Sequence, residues 1–187
     1  MKHSKFPPQV YTKDELNRIL MACGGHPNGL RNRAIIMMGY RCGLRCAEAL
    51  ALHRSDIALD QGHVLIQRGK GGKSRRIGLP DDAAAAVRST WNAEPMRGEW
   101  AFPTSSAGKL CTSYVRTLLP RLARRANIAK RLHFHGLRHT FAWELSQEGV
   151  PMPIIQRALG HSSLNTTAVY LDHLAPHDVI NATRNRA

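Results

Sequence analysis

The sequence has no long hydrophobic run, and none of its apolar stretches approaches the roughly 20 residues that a membrane span needs. Its basic start, residues 1–5, is not followed by the apolar segment of a secretory signal. Internal repeats and low-complexity tracts are also missing. With 187 residues, the chain is long enough for one well-buried core and short for two full domains. These features predict a single-domain cytoplasmic protein.

Acidic residues are scarce, because the 27 lysines and arginines face only 13 aspartates and glutamates, which gives a net charge of +14. Such an excess suits a polyanionic partner, and nucleic acid is the commonest one in a cell. The basic residues are spread through periodic segments rather than collected in a tail. We therefore expect a folded basic face rather than a basic arm. Charge alone leaves open a DNA enzyme, a ribosomal protein or a nucleoid protein.

Cysteine is also sparse, and the four residues Cys23, Cys42, Cys46 and Cys111 include no C-x-x-C pair. The spacing of Cys23 and His26 would suit two zinc ligands, but no second pair of ligands with zinc-finger spacing follows. Isolated cysteines are commonly buried as small apolar side chains. We expect four reduced structural thiols, no metal site and no cofactor.

Most segments of the sequence show helical periodicity, so the expected fold class is mainly α with a small antiparallel β-sheet (α+β). Thr12 and Glu15 form a capping box at the first helix, and Pro120 is expected to kink or limit a later one. Segments 63–67 and 75–77 indicate a β-hairpin whose turn, 69–73, is flexible and basic. The expected helices cover about 12–20, 28–41, 44–52, 81–91, 112–126, 136–149, 151–160, 162–170 and 176–183.

One set of residues has spacings that suit attack on a phosphodiester: two arginines, two histidines and a tyrosine. Such a reaction needs a nucleophile, stabilisation of the non-bridging oxygens and a proton for the leaving oxygen. Arginine binds phosphate with paired hydrogen bonds and keeps its charge, and histidine moves protons near neutral pH. The candidates are Arg45, Arg138, His135, His161 and Tyr170.

Glu48 lies three residues after Arg45 in a predicted helix, so both side chains are expected on one face. The carboxylate can then hold the Arg45 guanidinium from the side. The alternative is an ordinary surface ion pair, worth at most about 1 kcal/mol.

Four motifs together resemble the catalytic domain of the tyrosine recombinase (phage integrase) family. They occur in the family's order, with Tyr170 nine positions after His161, and the resemblance covers about residues 11–172. The resemblance implies the catalytic-domain fold of that family. The motifs are Gly43-Leu44-Arg45-Cys46-Ala47-Glu48, Gly69-Lys70-Gly71-Gly72-Lys73, His135-Gly136-Leu137-Arg138-His139 and Leu159-Gly160-His161-Ser162-Ser163 with the segment leading to Tyr170.

The resemblance implies that Arg45 and Arg138 bind the scissile phosphate while Tyr170 attacks it. A 3′-phosphotyrosine link forms and a 5′-hydroxyl is released, so the bond energy is kept and neither metal nor nucleotide is required. Lys70 is implied as the general acid, because it occupies the family's G-K-G position. Lys73, on the same turn, stays open as an alternative.

Supporting roles follow from the same resemblance. His135 is implied to assist proton transfer, His161 to hydrogen bond to the phosphate, and Glu48 to support the site. His139 is expected to be structural or to lie behind the catalytic groups. The expected contacts to the DNA backbone are Lys73, Arg75 and Arg76.

The expected organisation is an N-terminal arm or linker, residues 1–10, followed by the catalytic domain, 11–187, without the family's separate N-terminal core-binding domain. The chain is then either a fragment or a minimal recombinase that resembles the short fimbrial DNA invertases. The implied function is site-specific recombination of double-stranded DNA (integration, excision, inversion or resolution) by a homo-oligomer that is a tetramer in the synapse. The alternatives are a catalytically silent DNA-binding regulator of the same fold and a type IB-like topoisomerase.

Overall fold

The structure is a computed structural model that describes residues 10–67, 74–93 and 98–161. Within these ranges the chain is mostly helical with one small sheet, which confirms the expected α+β class. None of the described helices is both long and apolar enough to cross a membrane. The helices are α1 (Lys13–Ala22), α2 (Pro27–Arg41), α3 (Cys46–Ala49), α4 (Asp81–Ala93), α5 (Thr112–Arg125), α6 (Phe134–Gln147) and α7 (Met152–Leu159), with a 3₁₀ turn at Arg54–Asp56.

Helix α2 is the central element of the core. Its side chains are buried nearly all round, as in a helix that is covered on every side, and Ala34, Ile35, Ile36 and Met38 are fully buried. It packs between α4 and α6. A smaller apolar cluster joins α6 to α7, and this packing brings the carboxyl end of α7 against the amino-terminal half of α6.

The sheet is a three-stranded antiparallel meander of β1 (Ile57–Ala58), β2 (His63–Ile66) and β3 (Arg75–Gly78). In its register Val64 pairs with Ile77, and Ile66 pairs with Arg75. The two strands of the predicted hairpin are therefore confirmed. The turn that carries Lys70 and Lys73 lies outside the described residues, as do the helices expected beyond His161.

The capping box of α1 forms as predicted. The Thr12 hydroxyl accepts a hydrogen bond from the Glu15 amide at 3.2 Å, and the Thr12 amide donates to the Glu15 carboxylate at 2.8 Å. Both orphan N–H groups at this helix start are thus satisfied by local side chains. Leu16 and Ile19 point into the core from the opposite face.

Three helices differ from the sequence-based expectation at their ends or interiors. The helix expected over 44–52 is a single turn, because Arg45 is extended and acts as its N-cap. Helix α5 continues through Pro120, which is exposed to solvent, while Leu119 and Leu122 pack in the core. Helix α6 begins before Gly136, because His133 caps it by accepting the Gly136 amide at 3.0 Å.

Candidate active site

Four chain segments far apart in sequence meet at one corner of the domain. They are the amino end of α3, strand β3, the first turns of α6 and the carboxyl end of α7. Each contributes at least one charged or titratable side chain or a carbonyl. The side chains that meet are Arg45, Glu48, Arg75, Arg138 and His161.

Glu48 is the centre of this cluster, and its side chain is only 7% exposed. Its carboxylate accepts hydrogen bonds from Arg45 Nη1 at 2.8 Å and from the Arg45 amide at 2.7 Å. Arg75 donates from both terminal nitrogens, at 3.0 and 2.8 Å, while Arg138 Nη1 lies 3.9 Å away. Burial would raise the pKa of Glu48, but the hydrogen bonds from Arg75 and Arg45 outweigh it and lower the pKa to about 2.

The predicted pairing of Arg45 with Glu48 is present, though its geometry differs from two positions on one helical face. Arg45 precedes the helix, and Glu48 binds both its backbone amide and its guanidinium. A second guanidinium nitrogen of Arg45 donates to the Gly160 carbonyl at 3.3 Å. The Arg45 side chain remains 31% exposed, so it is accessible from solvent.

Arg138 is fully buried, and its guanidinium is fixed by backbone carbonyls. Nη1 donates to the Gly43 carbonyl and Nη2 to the Leu159 carbonyl, and Nη2 also lies 3.1 Å from His161 Nε2. A buried charge is costly unless it is paired and hydrogen-bonded, and here Glu48 and the two carbonyls meet that need. The arginine is therefore preorganised before any ligand arrives.

Three guanidinium groups and one carboxylate leave the cluster with two net positive charges. A phosphodiester carries one negative charge, and a pentavalent phosphorane formed from it carries two. Fixed donors aimed at developing charge stabilise a transition state more than a ground state. The electrostatics of the cluster thus suit phosphoryl transfer.

Two glycines make these carbonyl contacts possible. Gly43 and Gly160 both have a φ of +62°, a conformation that side chains disfavour. A Cβ at Gly43 would lie 2.3 Å from the Phe141 ring, and one at Gly160 would lie 2.8 Å from Arg75 Nη1. The G-L-R and L-G-H motifs therefore require glycine for backbone reasons.

The histidines around the cluster are held in the neutral form. Desolvation, followed by the charge of Arg138, lowers the pKa of His135 to about 4, even though the residue is exposed to solvent. The same two causes lower the pKa of His161 to about 4. His139 is 7% exposed and meets the His135 ring edge-on at 4.5 Å, and desolvation, followed by His135, lowers its pKa to about 3. Near neutral pH these imidazoles are therefore unprotonated.

Tyr11, which directly precedes the first capping box, supports the site in a way that the sequence did not indicate. Its hydroxyl donates to the Arg131 carbonyl at 2.8 Å and accepts from the His133 amide at 3.2 Å. Its own amide donates to Thr140 Oγ1 at 3.0 Å. Tyr11 thus holds both sides of the first turn of α6, which carries the H-G-L-R-H motif.

The structure places the remaining predicted residues in different settings. Arg75 turns into the cluster instead of outward, and Arg76 is exposed on the other face of β3. Lys70, Lys73 and Tyr170 lie outside the described residues. The four cysteines form no disulfide, and no group of three potential metal ligands occurs within the ranges that the structure describes.

The candidate site is thus a carboxylate-anchored arginine cluster with neutral histidines beside it on an α+β domain, an arrangement whose charge suits an oxyanion. The sequence model described as "Phage integrase family" matches residues 9–177, and the chain belongs to this family. The resemblance stated from the motifs is thereby confirmed.

Similar curated proteins include tyrosine recombinase XerA of Thermococcus kodakarensis, which is 33% identical over 183 residues, covering 95% of this chain and 64% of that protein. Tyrosine recombinase XerC of Xanthomonas campestris pv. campestris is 35% identical over 186 residues, covering 96% of this chain and 56% of that protein. The chain thus spans 56% to 64% of the length of these two relatives.

Two solved structures share the fold and more than a quarter of the aligned residues. The crystal structure of XerA recombinase has a TM-score of 0.83 and 26% identity, covering 100% of this chain and 67% of that one. The post-cleavage complex of XerH site-specific recombinase with palindromic difH substrate has a TM-score of 0.77 and 26% identity, covering 96% of this chain and 54% of that one. The fold is that of the tyrosine recombinase catalytic domain.

Proposed function

We propose that this chain carries out site-specific DNA recombination, by cleaving and rejoining DNA through a 3′-phosphotyrosine intermediate. The observation that carries the proposal is the cluster of Arg45, Arg75 and Arg138 around the buried Glu48, with two net positive charges. Membership of the phage integrase family and the similarity to Xer recombinases support it.

In the proposed reaction, Arg45 and Arg138 bind the non-bridging oxygens of the scissile phosphate. The Tyr170 hydroxyl attacks phosphorus, so a tyrosine–phosphorus bond forms as the bond to the 5′ oxygen breaks. Neutral His135 accepts the tyrosine proton, for which its lowered pKa of about 4 leaves it available near neutral pH. Lys70 supplies the proton that the leaving 5′ oxygen takes up, with Lys73 as the alternative donor.

The remaining predicted residues support this chemistry. His161, 3.1 Å from Arg138, hydrogen bonds to the bound phosphate, and His139 packs behind His135. Strand exchange follows when the 5′-hydroxyl of a partner duplex attacks the phosphotyrosine. That step reverses the first one and requires neither metal nor nucleotide.

We propose double-stranded DNA as the partner, with a homotetramer assembled on two duplexes. The net charge of +14 supports a polyanionic partner, and the solved complex of XerH with difH substrate shows a related recombinase on DNA. Such a substrate would place the protein at the nucleoid. The proposal of a tetramer rests on the family likeness.

The decisive experiment traps the covalent intermediate. A library of nicked suicide duplexes is incubated with the protein, and DNA that stays attached to protein after denaturation is recovered and sequenced. We expect an adduct that Tyr170→Phe abolishes. If wild-type protein forms no adduct with any duplex, the proposal is wrong.

Measurements of DNA binding and of plasmid relaxation, made beside the adduct assay, separate the alternative functions. DNA binding without an adduct would identify a silent regulator, whereas relaxation of supercoiled plasmids without a specific site would identify a topoisomerase. A regulator has no need of the preorganised charge cluster, so the geometry favours the recombinase.

A further inference from the structure

Arg75 is the more enclosed of the two arginines on strand β3. Its side chain is 11% exposed, although it lies on a strand of a small sheet. Nη1 and Nη2 donate to the two carboxylate oxygens of Glu48, at 3.0 and 2.8 Å, and Nε donates to the Ala158 carbonyl at 3.0 Å. All three guanidinium nitrogens are therefore engaged by the protein itself.

The neighbouring residue has the opposite setting. Strand side chains alternate between faces, so Arg76 points away from the cluster and is exposed. The two arginines carry the same charge at adjacent positions, yet only Arg76 presents its guanidinium to solvent. They form a matched pair for experiment.

The partners of Arg75 are the groups that hold the phosphate-binding arginines. Glu48 binds Arg45, and the end of α7 that Arg75 contacts supplies the Leu159 carbonyl to Arg138 and the Gly160 carbonyl to Arg45. Gly160 packs so closely that a Cβ there would lie 2.8 Å from Arg75 Nη1. A shift of Arg75 would be transmitted to both sides of the site.

We propose that Arg75 is a positioning residue: it fixes the Glu48 carboxylate and ties the hairpin strand β3 to the end of α7, so that Arg45 and Arg138 are set for phosphate. This inference rests on the proposed function and replaces the expected role of Arg75 as a DNA backbone contact. Arg76 keeps that expected role.

Arginine suits this position because of its shape as well as its charge. Its planar fork satisfies both oxygens of one carboxylate while Nε remains free for a third acceptor, an arrangement that lysine cannot reproduce. The other charged groups facing Glu48 are Arg45 and Arg138, with His135 and His161 close to those arginines. Among the effects that lower the pKa of Glu48, the hydrogen bond from Arg75 is the largest.

The test compares Arg75→Gln with its control Arg76→Gln on the duplex recovered by the adduct assay. DNA affinity is measured between 50 and 200 mM salt, and single-turnover cleavage is measured at saturating DNA. For Arg76→Gln we expect the log–log salt slope to fall by about 0.9, the value for one phosphate contact. For Arg75→Gln we expect an unchanged slope and cleavage slowed by about 10-fold or more.

The pH dependence of the cleavage rate is a second measurement, and a general loss of packing would not shift it. In Arg75→Gln the pKa of Glu48 rises, so the acid limb of the cleavage rate should shift to higher pH. Adding Glu48→Gln removes this carboxyl group, and the double variant should lose that part of the shift. Its cleavage defect should also be smaller than the product of the two single defects, since both changes break one contact.

Two results would overturn the inference. One is a reduced salt slope in Arg75→Gln together with wild-type cleavage at saturating DNA, which identifies a DNA contact. The other is wild-type cleavage across the whole pH range. If Arg75→Gln does not fold, Arg75→Lys is tested in its place. A contact with the DNA backbone predicts near-normal cleavage for this variant, whereas a positioning role predicts slow cleavage with normal DNA binding. Wild-type adduct formation tests the proposed function separately.

Discussion

At the scale of single residues, burial and partners give arginines of identical charge different roles. Arg138 is fully buried and bound to two carbonyls, whereas Arg45 keeps 31% of its side chain exposed. The first is rigid before a ligand binds, and the second has room to follow it. Phosphate would then meet one fixed and one adjustable guanidinium.

Arg138→Lys should separate the charge of this residue from its shape. Lysine keeps the positive charge but cannot serve the Gly43 and Leu159 carbonyls in the same plane, so at least one buried acceptor loses its partner. We expect cleavage to slow on the order of 10²-fold and the unfolding free energy to fall by about 1–3 kcal/mol. Suicide-substrate kinetics and urea unfolding measure the two effects. Arg88→Lys, an exposed change on α4, is the control for stability.

The histidine cluster should make stability depend on pH. The pKa values of His135, His139 and His161 are lowered in the folded protein to about 4, 3 and 4, so in acid the unfolded chain binds more protons. Stability from these groups is present above the ordinary pKa near 6.5 and is lost as the pH falls towards 4 and 3. We expect His139 to add a slope of up to about 1.4 kcal/mol per pH unit, and the more exposed His135 and His161 to add less.

Urea unfolding at several pH values between 7 and 4 measures this slope. His139→Asn should make it shallower, while His63→Gln on strand β2 serves as the control variant. An unfolding free energy that does not change over this range would contradict a histidine cluster that folding holds in the neutral form.

At the scale of elements, the site depends on helix ends rather than on helix interiors. Arg45 caps α3, His133 caps α6, and Gly160 ends α7 with a φ of +62°. Helix ends expose unpaired backbone groups, which can bind side chains from other segments. This is why the carbonyls of residues next to such ends fix the arginines.

Tyr11→Phe tests the support of α6 with the loss of a single oxygen atom. The change removes the acceptor for the His133 amide and the donor for the Arg131 carbonyl, while the ring still packs against Gly136. We expect a loss of about 1–3 kcal/mol in unfolding free energy and slower cleavage at saturating DNA. Urea unfolding and single-turnover kinetics provide the measurements. A variant with wild-type stability and cleavage would show that Tyr11 does not hold this helix start.

The local parts of this architecture could be predicted from sequence, and the long-range parts could not. The Thr12–Glu15 box and the Arg45–Glu48 pair involve residues three apart, so spacing indicates them. The contact between Arg75 and Glu48 spans 27 residues. Alternation indicates that Arg75 and Arg76 lie on opposite faces, but which face meets Glu48 depends on how β3 packs against α7.

At the scale of the whole molecule, a net charge of +14 on 187 residues governs how the protein meets DNA. Each phosphate that a basic side chain neutralises releases condensed counterions, so affinity falls with salt at a log–log slope of about −0.9 per contact. Since the basic residues lie in folded segments, we expect several contacts at once and a steep slope.

Fluorescence anisotropy with a labelled duplex, between 50 and 200 mM salt, measures this slope. Six contacts would give a slope of about −5, equivalent to roughly a thousandfold loss of affinity over that range. Arg45 and Arg138 are already held by Glu48 and by backbone carbonyls in the protein without DNA, so we expect their positions to depend little on salt. Cleavage at saturating DNA should therefore change far less than affinity does. An affinity independent of salt would contradict the basic-surface interpretation, and a cleavage rate that falls in parallel with affinity would contradict a preorganised site.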